Sequence, residues 1–163
     1  MTHIYVFNLV QGLICLCALW LGGWPERWTA IFLLGASVAT ILLPFDPSRS
    51  FRTVETLELL IDVSLMAGLI SVALLANRFW PLWLTALHLL AIGIHGVKGF
   101  DTALVPWMYA AAGGKIAYPM IALLAIGVLR HRLRLARYGR DPDWTLPWRG
   151  YGVGRGEVTH DRV

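Results

Sequence analysis

Apolar residues fall into five runs along the chain, at roughly 4–21, 28–43, 54–76, 81–100 and 108–130, each closed by Gly, Pro or charge. A span across a bilayer needs about 20 such residues, so the pattern predicts five membrane-crossing helices. The separators are short: Gly22 to Arg27, Pro44 to Arg52, Asn77 to Trp80 and Asp101 to Pro106. Short connections make consecutive helices antiparallel neighbours, and the expected fold is an all-α polytopic bundle. The second run is the shortest, and the fifth carries Gly113, Gly114, Lys115 and Pro119. A bundle of four spans plus a re-entrant or interfacial segment is the structural alternative.

The third run breaks its own pattern. Glu55, Glu58 and Asp62 lie on one stripe of an otherwise apolar helix. A carboxylate at the bilayer centre costs at least about 2.5 kcal/mol, so an acid at that depth needs a partner or a purpose. Glu55 and Glu58 sit in the first turns, where acids favour the positive helix pole and the wet interface. Asp62 lies about 12 Å along the helix from Thr53, too deep for so short a side chain to reach water. Folding helix four back on helix three brings His95 level with Asp62, and helix five brings Lys115 within about a turn of His95. Asn8 and Gln11, three apart on one face of helix one, share that half of the membrane, as do Glu58 and Lys98. The expected polar centre is Asp62, His95, Lys115, Glu58, Asn8 and Gln11.

Composition places the chain among membrane proteins, with 57% apolar and only 15% charged residues in 163. That length holds one bundle and no catalytic domain outside it. Cys15 and Cys17, the only cysteines, are two apart on nearly opposite helix faces and read as core residues. The first run lacks the basic start and small-residue exit of a signal peptide and is expected to stay as a mature helix. Eight arginines against four acids after Leu129 account for the whole net charge of +4. Residues 1–130 are therefore expected to form the bundle and 131–163 a basic, largely disordered tail, rich in Pro, Gly and aromatics towards its end. Attraction of this tail to anionic lipid headgroups explains its charge, and no nucleic-acid module accompanies the arginines.

Counting Lys and Arg on alternate sides gives Arg27, Arg78 and the tail against Arg49, Arg52 and Lys98. The C-terminus is then cytoplasmic and the N-terminus outside, in a membrane of the bacterial inner type. Trp20, Trp24, Trp28, Phe79, Trp80, Trp83, Trp107 and Tyr109 fit aromatic belts at the two interfaces.

No nucleophile motif, phosphate loop, zinc signature or dinucleotide fingerprint occurs, so an enzyme is not expected. His88 and His95 are about 10.5 Å apart along one helix, too far to share a metal ion. Either histidine alone has the chemistry to ligate a haem or chlorophyll, with Ala91, Gly93, Gly96 and Gly99 leaving room for a flat ring, but those small residues serve helix packing equally well. No cofactor or metal is expected. The leading expectation is an accessory or structural membrane subunit that packs against itself or a larger complex through faces such as Gly35-x-x-x-Ala39 and Ala110-x-x-x-Gly114. The rival is a proton- or cation-coupled carrier centred on Asp62, and the third reading is pigment or haem binding.

Overall fold

The computed structural model describes residues 2–42, 51–100, 106–141 and 143–144, with side chains placed for 5–42, 57–93, 115–141 and 143–144. Glu55, His95 and Lys98, and the side chains of Trp107, Tyr109, Ala110 and Gly114, fall outside the described side chains, as do all residues beyond 144. The described residues form five α-helices: α1 Thr2–Leu21, α2 Trp24–Leu42, α3 Phe51–Leu75, α4 Trp80–Phe100 and α5 Pro106–Tyr138.

Two helices contain stretches long and apolar enough to cross a membrane, Leu57–Leu75 and Lys115–Tyr138, and shorter apolar stretches cover Tyr5–Leu21 and Trp80–Gly93. Each helix packs on its sequence neighbour, α1 also packs on α5, and α2 touches α5 across the middle. The interior is small and aliphatic: Cys15, Ala18, Ala30, Leu84 and Leu124 are fully buried. Gly68 of α3 faces the Phe32 ring of α2, and a Cβ there would stand 2.9–3.1 Å from that ring. Gly68→Val is expected to cost about 1–3 kcal/mol through overpacking, measured as lowered resistance to unfolding in detergent.

Helix limits differ from the apolar runs at two places. α2 begins at Trp24, four residues before the run, because Pro25 suits a first turn that needs no backbone donor and Glu26 favours the positive pole. α5 continues eight residues past Arg130 and stays helical through Pro119. Residues 131–138, the basic start of the expected tail and part of the Arg130–Arg140 stretch that reads as a basic helix end, form the last two turns of this helix, where their charge suits its negative pole. Gly139, at φ 68°, closes it in the left-handed conformation, with its N–H donating to Leu135 O at 2.9 Å. The chain then doubles back, and Asp143 O accepts from the Asn77 N–H at 3.1 Å in the α3–α4 turn.

Trp20, Trp24, Trp28, Phe79 and Trp83 are exposed at the end of the bundle where these turns lie. Trp80 departs from the expected belt: it is 8% exposed, packed into the core against Gly127.

Candidate functional site

Polar side chains meet at two levels of the bundle. The first is a cavity of about 470 Å³ walled by all five helices. Phe7, Leu33, Ile61, Leu65 and Met120 give it a mostly apolar wall, and Asn8, Gln11, Ser37, Thr40, Asp62 and His88 project polar groups into it. Gln11 is buried and its amide donates to Ser37 Oγ at 2.6 Å, with Leu33 O at 3.4 Å, tying α1 to α2. His88, also buried, donates from Nε2 to the backbone oxygen of Asp62 at 3.0 Å and ties α4 to α3.

Asp62, Asn8 and Gln11 therefore share one cavity, and the described histidine that joins them is His88. The reason lies in helix geometry. Carbonyls point towards the C-terminal end of their helix, so the Asp62 oxygen sits nearer the α3–α4 turn than its own Cα does, within reach of the long imidazole. That bond commits one of the two ring nitrogens that ligation of a metal or haem would use. Lys115 is exposed and outside the cavity wall, which its neighbours Ile116 and Ala117 help to form. Glu58 is half-buried and also outside the wall.

The second level is an ion cluster that the linear sequence gave no sign of. Arg78, in the α3–α4 turn, has a side chain only 5% exposed. Its Nη1 donates to Glu26 of α2, which is fully buried. Its Nη2 lies 2.8 Å from Asp141 Oδ2, 2.8 Å from Asp143 Oδ1 and 2.9 Å from His131 Nδ1. Nη2 donates to Asp143 Oδ1 and is paired by charge alone with Asp141 Oδ2. A carboxylate only accepts, so His131 Nδ1 donates to Asp141 Oδ2, 2.8 Å away. Arg134 reaches Asp141 Oδ1 at 3.4 Å from the outside.

Four segments are tied by this cluster: the start of α2, the α3–α4 turn, the end of α5 and the doubled-back strand of chain after it. Buried charges of this kind are tolerated only when paired and hydrogen-bonded, and the planar fork of arginine can serve several acceptors at once. Gly23 makes the close approach possible, since a Cβ there would collide with the Asp143 carboxylate and stand 3.0 Å from Arg78 Nη2. Among the described residues no group of three or more His, Cys, Asp or Glu side chains is arranged to hold a metal ion.

No protein-family model matches the chain, and comparison with curated proteins and with solved structures finds no match to either.

Proposed function

We propose that the chain is a five-span membrane bundle acting as a proton- or cation-coupled carrier, with the cavity around Asp62 as its binding site. The cavity carries this reading: all five helices wall it, and six polar residues, one of them the acid Asp62, stand in an otherwise apolar lining, as in a ligand site. Asp62 supplies negative charge for a cation or takes up a proton, while Gln11, Asn8, Ser37 and Thr40 offer oxygen acceptors in place of water.

Membrane insertion is supported by the outer surface. Leu9, Leu42, Leu60, Leu74, Leu89 and Leu129, drawn from every helix, are 58–75% exposed. So much outward apolar surface on all sides suits a lipid surround. Hydroxyls of Thr29, Thr40, Ser64, Ser71 and Thr85 each donate to the carbonyl four residues back, so they need no water to be satisfied. Arg27, Arg78 and the arginines of α5 lie at one end, which the charge rule assigns to the cytoplasm of a bacterial-type inner membrane.

The test is a proteoliposome containing a pH-sensitive dye, given a sodium, potassium or proton gradient in turn. The parent protein is expected to change the internal pH under at least one gradient, and Asp62→Asn to lose that response while keeping its helix content. A silent parent, or an Asp62→Asn variant as active as the parent, overturns the reading.

A second reading, an accessory subunit that packs against another membrane helix, is favoured by Gly35. It lies on the outer face of α2 between Ile31 and Val38, 45% and 53% exposed, and a Cβ there would meet nothing within 4 Å. A small residue in such a place lets a neighbouring backbone approach closely. Protein that runs as a lone monomer in mild detergent, with no partner or second copy retained, counts against this reading.

A further inference from the structure

A second, smaller cavity of about 110 Å³ lies beside the ion cluster, between the α3–α4 turn and α5. Its wall holds two N–H donors that have no acceptor among the described residues, Arg78 Nε and Trp80 Nε1. Both belong to side chains more than nine-tenths buried, at 5% and 8% exposure. Buried donors are nearly always matched in native proteins, and the remaining unmatched atom, Glu26 Oε2, is not in this wall, so an orphan pair on residues lining one space points to an acceptor from outside the described residues. Gly127 holds the space open in front of the indole, because a Cβ there would stand 3.0 Å from Nε1 and 2.8 Å from the ring.

The charge of the wall tells what the acceptor is. Arg130 and Arg134, one turn apart on α5, add two guanidiniums, and the Asn77 amide lies at the rim. A further groove of about 180 Å³ continues past Arg130 and Arg134 to Arg137. Asp141 is the one acid in the wall, and its oxygens are already held by Arg78, His131 and Arg134. Glu26 and Asp143, the other partners of Arg78, lie outside the wall. Arg78 is offset by its own carboxylates, so the positive charge offered to a ligand comes from Arg130 and Arg134, whose guanidinium forks match phosphate oxygens. The volume is about three to four times a water molecule's share of liquid, enough for one tetrahedral oxyanion.

We propose that this niche binds a phosphate group through Arg78 Nε, Trp80 Nε1, Arg130 and Arg134, either the headgroup phosphate of an anionic lipid or a free phosphate. The lipid source rests on the five-span reading, which sets this end at the cytoplasmic leaflet, where basic pockets between helices capture anionic headgroups.

The experiment uses the full-length chain in two arms. In neutral detergent, inorganic phosphate is titrated against chloride at matched ionic strength, and the shift in melting temperature is followed. In nanodiscs, phosphatidylglycerol mixed with phosphatidylcholine is compared with phosphatidylcholine alone, by the same shift and by native mass spectrometry of retained lipid. Stabilisation by phosphate identifies a soluble source, and stabilisation by phosphatidylglycerol with retention of that lipid identifies the headgroup. Arg130→Gln, exposed and outside the ion cluster, is expected to weaken whichever response is found about tenfold, as is Trp80→Phe, which removes only the indole donor. Because Trp80 is a core residue, Arg130→Gln decides the matter if the Trp80 variant does not fold. A response in the phosphate arm alone supports the niche without the five-span reading. No stabilisation in either arm, or an Arg130→Gln variant that responds like the parent, overturns the proposal.

Discussion

Arg78→Gln is expected to destabilise the folded bundle by about 3–5 kcal/mol, measured as the loss in resistance to chemical unfolding in detergent. The magnitude follows from what remains behind. Glu26 and Asp141 have side chains 0% and 2% exposed, and the guanidinium is the cation they share. Glutamine keeps much of the length but offers one neutral amide to three carboxylates. Glu26 loses its counter-ion, Asp141 keeps only its His131 bond and the longer pair with Arg134, and Asp143 loses its tether to the α3–α4 turn. Adding Glu26→Gln to the same chain is expected to recover part of the loss, since it removes one of the stranded charges. A single variant as stable as the parent would show that water already solvates the cluster.

The second large effect is expected at Gly23. Gly23→Val places its side chain against the Asp143 carboxylate, with Arg78 Nη2 at 3.0 Å and His131 Cε1 at 3.1 Å from the new Cβ. These are not free side-chain ends that swing aside, because each is held by the others. The cheapest relief is release of the chain after Gly139, for which overpacking supplies about 1–3 kcal/mol. The Asn77 amide, bonded to Asp143 O in the parent, reports this directly. Its hydrogen exchange is expected to accelerate by about ten- to a hundredfold, while amides in the middle of α3 and α4 stay protected. Uniform acceleration along the chain would mean that the variant unfolds as a whole.

The helices were legible because an apolar run of span length leaves few alternatives, and all five appear where the runs lie. Their ends were harder to read. Pro25, Glu26 and Arg27 look like a separator until one notices that Pro and an acid are what a first helical turn accepts. The end of α5 looks like a tail because arginine carries charge, yet arginine is also a good helix former and suits a C-terminal pole. Depth arithmetic brought Asp62, Asn8 and Gln11 to a common level, and the structure lines one cavity with all three. His88 joins them by its bond to the Asp62 carbonyl, while the side chain of His95 lies outside the described residues. The ion cluster was illegible for another reason. Its members lie between residues 26 and 143, in segments whose periodicity says nothing about where they fold, and only the return of the chain after Gly139 brings the acids to Arg78.

That return sets an order in time. Domains are made N-terminal end first, so Glu26 and Arg78 leave the ribosome long before Asp141 and Asp143. Once α3 and the following turn are made, the Glu26–Arg78 pair is available to register α2 against the α3–α4 turn. Nη2 of Arg78 waits for acceptors until α5 is complete. Within the cluster the last acids to emerge are the ones that finish the buried charge set, so closure of this end of the bundle coincides with arrival of the segment after α5. Assembly of the helices is in this way linked to the progress of translation.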